Sequence, residues 1–90
     1  MFKSLEELIT VIRQLKESSI QGSYTYKLLN NKKLSVEKVK EEITELIDAI
    51  EKNTNKVHET ADVLYHLMVL LEANGIKIEE VMDELKKRQK

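Results

Sequence analysis

Residues 36–71 read VEKVKEEITELIDAIEKNTNKVHETADVLYHLMVLL. In the first half of this stretch, apolar residues recur every three or four positions, which places them within about 100° of arc on one side of an α-helix. They are Val36, Val39, Ile43, Leu46, Ile47 and Ile50. The pattern predicts a helix from Val36 to Lys52, with Ser35 as its N-cap. The segment Asn53-Thr54-Asn55 has the composition of a turn.

The second half predicts a more deeply buried helix, from Lys56 to Asn74. Between Ala61 and Leu71 only Asp62 and His66 are polar, and a helix that is apolar nearly all round is buried. His66 is interpreted as a packing or hydrogen-bonding side chain rather than a ligand. Asn74-Gly75 is typical of a helix C-terminus.

The buried helix carries more apolar surface than one neighbouring helix can cover. Leu64, Met68 and Leu71 lie on the side opposite Glu59 and Asp62 at 100° per residue. We therefore expect the Leu64, Met68 and Leu71 side to pack against a second subunit. The resulting homodimer would complete a four-helix-type bundle.

Two acidic pairs lie on the two predicted helices. Glu42 and Glu45, like Glu59 and Asp62, are three residues apart, so both carboxylates of a pair project from one side of a helix. In an antiparallel hairpin, residues equidistant from the turn face each other. The midpoint of positions 45 and 62 falls inside the Asn53–Asn55 turn. We therefore expect all four carboxylates to converge at one level of the hairpin.

The chemistry of these four residues favours a hard divalent cation. Carboxylates beside an apolar segment are costly to bury unless a cation compensates them. Oxygen ligands and the absence of cysteine predict Mg2+ before Zn2+. A Mg2+ site suits phosphate chemistry. Four lysines that lie before or within the predicted helix Val36–Lys52 could contact the phosphates of a substrate. They are Lys27, Lys32, Lys33 and Lys38.

Composition narrows the class of protein. The chain has 90 residues, of which 41% are hydrophobic and 34% charged, with a net charge of −1. This predicts one soluble domain, residues 1–90. A domain of this size has a thin hydrophobic core, and oligomerisation is a common way to add stability. The balance of charge gives no electrostatic case for a nucleic-acid partner. No signal peptide, membrane span or disulfide is expected, which favours the cytoplasm.

The rest of the chain predicts shorter helices around the hairpin. A stripe of Leu and Ile predicts a first helix from Leu5 to Glu17, with Ser4 and Glu7 as a capping box. A loop at Ser18–Ser23 follows, and then a short helix from Tyr24 or Thr25 to about Leu29. A final amphipathic helix begins near Ile78 and ends in the basic tail Lys86-Lys87-Arg88. The fold class is therefore all-α.

The acidic pairs also carry a family resemblance. Glu41-Glu42-x-x-Glu45 followed by Glu59-x-x-Asp62 resembles the MazG-like all-α nucleoside triphosphate pyrophosphatases. Four stretches are similar to the phosphoribosyl-ATP pyrophosphohydrolases of histidine biosynthesis: GSYTYKL at 22–28, KVKEEITE at 38–45, ETADVLYHLMVLL at 59–71 and GIKIEEV at 75–81. Lys40 stands where that family usually has glycine.

The resemblance implies an all-α protomer of about four to five helices that forms a dimer or a higher oligomer. It implies Mg2+-dependent hydrolysis of the α–β phosphoanhydride of phosphoribosyl-ATP to phosphoribosyl-AMP and pyrophosphate. The metal ligands would be Glu42, Glu45, Glu59 and Asp62, with Glu41 contributing to a second ion. The substrate-side residues would be Ser23, Tyr24, Thr25 and Lys27, and Lys38 lies close by in sequence.

Two other functions remain open at this point. One is a house-cleaning pyrophosphatase that acts on other nucleoside triphosphates. The other is a non-catalytic helical dimer that serves as an interaction module. A ferritin-like di-iron site is disfavoured, because such sites use Glu-x-x-His pairs, which the chain does not contain.

Overall fold

The computed structural model describes residues 1–17 and 23–89, and its regular elements there are α-helices. The helices are α1 (Lys3–Glu17), α2 (Tyr24–Leu29), α3 (Lys32–Lys52), α4 (Lys56–Ala73) and α5 (Ile78–Arg88). The predicted all-α fold is confirmed. The predicted loop Ser18–Ser23, including Gly22, lies outside the described residues except for Ser23.

Two helices begin earlier than predicted. The N-cap of α3 is Asn31, whose side-chain oxygen accepts a hydrogen bond from the Leu34 backbone N–H at 3.1 Å. The prediction of Ser35 as N-cap is therefore wrong, and Ser35 is buried inside the helix. The predicted capping box at Ser4 is also wrong, because α1 already begins at Lys3. In both cases the apolar stripe starts later than the helix itself, so the stripe predicts an N-terminus that lies too far along the chain.

The α3–α4 turn is built from asparagines, as predicted. Asn53 and Asn55 both adopt the left-handed conformation, with φ of 55° and 50°. Asparagine tolerates this region better than most residues with a side chain. The backbone N–H of Thr54 donates to the Ala49 carbonyl at 3.0 Å, which satisfies one of the last carbonyls of α3. The turn reverses the chain so that α4 packs back along α3.

The core lies where α4 meets α1 and α2. Its buried members are Ile9, Ile12, Leu28, Leu29, Met68 and Val69. Met68 is only 4% exposed within a single chain, and Leu71 packs against the same cluster. The prediction that Met68 faces a second subunit is therefore wrong, because α1 and α2 cover that side of α4. None of the helices in the described ranges is long and apolar enough to cross a membrane.

Ion pairs of Arg13 with Glu72 and Glu79, here called the charged clasp, join α5 to α1 and α4. Arg13 of α1 donates from Nε to Glu72 of α4 at 3.1 Å. Its two terminal nitrogens donate to both carboxylate oxygens of Glu79 at 2.9 and 2.7 Å. These hydrogen bonds lower the pKa of Glu79 from an ordinary 4.5 to about 2. No residue of α5 is fully buried, so the clasp is a main contact of this helix.

We expect Arg13→Gln to loosen α5 selectively, because a neutral amide cannot form the bidentate pair with Glu79. Hydrogen exchange should become faster in residues 78–88 and at the end of α4, where Glu72 also loses its pair with Arg13, and stay unchanged in α3. Arg88→Gln is a matched control, since it removes an exposed Arg–Glu pair within α5 (Nε to Glu84, 3.0 Å).

The same contact has a pH window. The pKa of Glu79 is depressed in the folded state. The stabilisation by the Arg13–Glu79 pair is therefore complete above about pH 4.5 and is lost as the pH falls towards 2. Equal exchange rates in wild type and Arg13→Gln at neutral pH would show that the clasp does not hold α5.

Candidate active site

The acidic groups of α3 form one cluster. Glu41, Glu42 and Glu45 each offer a carboxylate oxygen within 4.8 Å of the others. Glu42 points towards α4, and its side chain is only 13% exposed. Glu41 and Glu45 are exposed at the edge of the hairpin. The i, i+3 spacing of the sequence therefore produces one inward-facing carboxylate and two flanking it.

A second cluster lies on α4 and contains one residue that was not predicted. His58, Glu59 and Asp62 offer ligand atoms within 4.8 Å of one another. His58 Nε2 lies 3.3 Å from Asp62 Oδ2. The i, i+4 spacing between His58 and Asp62 is the signal that could have revealed this pair, because such residues are neighbours on a helix surface.

The two clusters meet across the hairpin at Glu42. The pKa of Glu42 is raised from an ordinary 4.5 to about 7, chiefly by burial and then by a hydrogen bond with Glu45 and the charges of Glu45, Asp62 and Glu59. A cavity of about 210 Å3 at the turn is lined by both Glu45 and Glu59. The four predicted metal ligands are thus close enough to repel one another, as the register of the hairpin predicts.

The carboxylates of Glu42, Glu45, Glu59 and Asp62 together form what we call the acidic junction. Two of them each have an oxygen without a hydrogen-bond partner within the described residues. Glu42 Oε2 and Glu59 Oε2 are buried, and neither has a hydrogen-bond partner there. A buried anionic oxygen without a donor or a cation is costly. Oxygen donors of this kind are the ligands that Mg2+ prefers. The donor set therefore fits a hard divalent cation.

The predicted substrate-side residues of α2 lie beside this junction. Ser23 caps α2, and its hydroxyl accepts a hydrogen bond from the Tyr26 backbone N–H at 3.0 Å. The hydroxyl of Thr25 is hydrogen-bonded to that of Tyr65 on α4. The ring of Tyr24 meets the ring of His66 edge-on, with centroids 5.9 Å apart. One hydroxyl–hydroxyl hydrogen bond and one aromatic contact thus connect α2 to α4 near the acids.

The lysines have different surroundings. Lys38 Nζ donates to Glu41 Oε2 at 3.3 Å, and this hydrogen bond raises the pKa of Lys38. Lys27 is exposed, one turn after Tyr24 on the same side of α2. Lys40, at the position where the family usually has glycine, is also exposed. Its charge does not enter the buried part of the acidic junction.

His66 is the most buried polar side chain facing these acids. Its Nε2 lies 3.8 Å from Glu42 Oε1. Its Nδ1 is buried and has no hydrogen-bond partner among the described residues. Burial lowers the pKa of the imidazole. The prediction of a packing histidine is confirmed by its aromatic contacts, but the proximity to Glu42 was not predicted.

A larger cavity lies elsewhere, beside the clasp. Its volume is about 510 Å3, and it is lined by residues that include Arg13, Lys16 and Glu72. Arg13 is already paired with two carboxylates, and Lys16 donates to the Glu72 carbonyl. The charges there largely satisfy one another. The acidic junction, with unpartnered buried oxygens, is therefore the stronger functional candidate.

Comparison with known proteins identifies the family of the chain. Residues 5–89 match the family described as phosphoribosyl-ATP pyrophosphohydrolase. A phosphoribosyl-ATP pyrophosphatase from Metallosphaera sedula is 45% identical over 89 residues, covering 96% of this chain and 96% of the relative. One from Methanococcoides burtonii is 38% identical over 90 residues, covering 94% and 91%.

A longer relative matches over part of its length. The histidine biosynthesis bifunctional protein HisIE of Pyrococcus furiosus is 44% identical over 87 residues, and the match covers 96% of this chain but 41% of that protein. The stand-alone relatives are matched almost from end to end. The chain belongs to the phosphoribosyl-ATP pyrophosphohydrolase family.

Proposed function

We propose that this protein hydrolyses the α–β phosphoanhydride of phosphoribosyl-ATP, giving phosphoribosyl-AMP and pyrophosphate, in a Mg2+-dependent step of histidine biosynthesis. The observation that carries the proposal is the convergence of acidic groups from α3 and α4 around the half-buried Glu42. Membership of the family supports the choice of substrate. A nucleoside triphosphate derivative as substrate favours a cytoplasmic location, which is part of the proposal.

The four carboxylates of the junction, Glu42, Glu45, Glu59 and Asp62, would hold the cation, with Glu41 available to a second ion. A bound Mg2+ neutralises phosphate charge and lowers the pKa of a bound water. The protein supplies the remaining conditions. Glu42 is held inward by helix packing, whereas Glu45 and Glu41 are exposed and would reach the cation from the solvent side.

The substrate would approach from α2. Lys38 would lie within reach of the phosphates, because it contacts Glu41 at the edge of the acidic cluster. Lys27 would extend this positive surface along α2. Tyr24 and Thr25 would line the same entrance, and the hydroxyl cap of Ser23 fixes the start of the helix that carries them.

The proposal is tested by measuring pyrophosphate release from phosphoribosyl-ATP with Mg2+ and with EDTA. We expect release only with Mg2+, and a kcat/KM for phosphoribosyl-ATP well above that for ATP, dUTP and dCTP. Equal or better turnover of the common nucleotides would identify a house-cleaning pyrophosphatase instead. Absence of pyrophosphate release from every substrate would leave a non-catalytic interaction module.

We further propose that the protein is a homodimer, with α3 at the interface. The exposed apolar residues of α3 are Val36, Ile43, Ile47 and Ile50. At 100° per residue, the three isoleucines lie about 140–160° from Glu45, on the opposite side of the helix. A continuous aliphatic stripe of this kind is typical of an interaction surface. A dimer through this stripe would leave the acidic junction open to substrate.

Ile47→Glu is expected to convert the dimer to a monomer, because the new charge would be desolvated at the interface. Light scattering should give the mass of one chain instead of two. Val11→Glu on α1 is a matched control, since Val11 and Ile47 are both 49% exposed. A monomeric wild type, or dissociation by Val11→Glu alone, would contradict the assigned interface.

A further inference from the structure

His66 is the one buried imidazole in the described part of the chain, and it lies directly behind a candidate metal ligand. Its side chain is 8% exposed, and Nε2 is 3.8 Å from Glu42 Oε1. This distance is longer than a hydrogen bond. Glu42 Oε2 and His66 Nδ1 both lack partners among the described residues. His66 Nε2 and Glu42 Oε1 are thus nearly in contact, while the far atom of each group, Nδ1 and Oε2, has no partner in the part of the chain that the structure describes.

The orientation of the His66 ring is set by its neighbours. Tyr65 meets it edge-on with centroids 5.0 Å apart, and Tyr24 does so from α2. Tyr65 is itself fixed by the hydrogen bond between its hydroxyl and Thr25. The two aromatic contacts restrict rotation of the imidazole, so Nε2 stays directed at Glu42.

A neutral imidazole carries a single N–H, and which nitrogen bears it depends on the partners available. With the proton on Nε2, the ring presents a donor to Glu42 Oε1. A shift of the carboxylate by well under the width of an atom closes this contact to hydrogen-bond length. One oxygen of Glu42 is then held by the protein, while the other remains free for a cation.

We propose that His66 is a positioning residue, which holds the Glu42 carboxylate through Nε2–H and connects the α2 segment to the metal ligands. This inference rests on the proposed function, because it assigns Glu42 to the cation. Groups that orient a metal-binding carboxylate typically change metal affinity about 10–100-fold when they are removed. His66 is expected to act within this range.

Three substitutions separate a donor at Nε2 from simple packing. In His66→Gln, the side-chain amide nitrogen can take the place of Nε2, whereas in His66→Asn it corresponds to Nδ1. His66→Phe keeps an aromatic ring against Tyr24 and Tyr65 but has no donor. The dissociation constant of Mn2+, measured by electron paramagnetic resonance, reports on the site independently of activity.

We expect His66→Phe and His66→Asn to weaken Mn2+ binding about 10–100-fold, and His66→Gln to stay within about threefold of the wild type. Circular dichroism should show folded protein in all three. In turnover, the Mg2+ concentration for half-maximal rate should rise in parallel with the Mn2+ dissociation constant.

The possible failures are distinguishable. Wild-type Mn2+ affinity in a folded His66→Phe would overturn the role of His66 and leave the metal site intact. An equal loss of Mn2+ affinity in the His66→Gln, His66→Asn and His66→Phe variants would show that packing of the side chain, and not the Nε2 donor, supports metal binding. A wild type that binds no Mn2+ would overturn the metal site itself, and with it the positioning role.

Discussion

Glu42→Gln is expected to remove turnover and at the same time to make the protein more stable at pH 8 without divalent cations. The amide keeps the shape of the side chain but loses the charge that a cation needs. Loss of one group that stabilises charge at an active site typically costs about 10²–10³-fold in kcat, and we expect at least this loss of pyrophosphate release. Asp62→Asn should reduce turnover for the same reason.

The gain in stability follows from the raised pKa of Glu42, about 7 against an ordinary 4.5. Between these two values the folded wild type binds more protons than the unfolded chain. Its stability therefore falls as pH rises from about 4.5 to about 7, and stays low above that. We expect the free energy of unfolding of the wild type to decrease by about 1–2 kcal/mol over this range, allowing for solvent screening.

Urea unfolding in EDTA at pH 5 and pH 8 measures this decrease. The wild type should lose stability between the two, Glu42→Gln should lose much less, and Mg2+ should restore the wild type at pH 8. Glu51→Gln is the control, since Glu51 is an exposed acid on the same helix. Full turnover in Glu42→Gln would refute the assigned site, and an unchanged pH dependence would refute the repulsion among its carboxylates.

Met68→Glu is expected to unfold the protein rather than dissociate a folded protomer. Met68 is 4% exposed and packs with Val69, Ile12 and Leu28 in the core. Burying a charge there, together with lost apolar contact, should cost more than about 4 kcal/mol. A 90-residue domain has a net stability of only about 5–13 kcal/mol. Circular dichroism should show a large loss of helix, or a much lower Tm.

Val57→Glu is the matched control on the same helix, because Val57 is 86% exposed. A carboxylate in the first turn of α4 is also favoured by the helix dipole. This variant should keep its helix content and its Tm. A folded, monomeric Met68→Glu protein would instead place this side of α4 at a subunit interface.

The hairpin and its acids were largely predictable from the sequence. The apolar period of α3, the asparagine turn and the apolar run of α4 are local patterns, and each is read without knowledge of the tertiary fold. Because helix geometry is regular, the distance of Glu45 and Asp62 from the turn also predicts that they converge. The family resemblance rests on the same acidic spacing.

The tertiary structure decided what lies around the hairpin. Asn31 rather than Ser35 caps α3, because the helix extends beyond its apolar stripe and Ser35 becomes buried within the fold. Met68 lies inside the protomer because α1 and α2 return to cover α4. The contact of His66 with Glu42 joins residues that are far apart in sequence.

Sequence periodicity determined which residues share a face of one helix, and thereby the acidic pairs and the all-α fold. It could not determine which neighbour covers each face, since that depends on how separate helices pack. The partner of Arg13, the burial of Met68 and the position of His66 behind Glu42 are all consequences of that packing. They arise from long-range contacts, for which a helical repeat carries no signal.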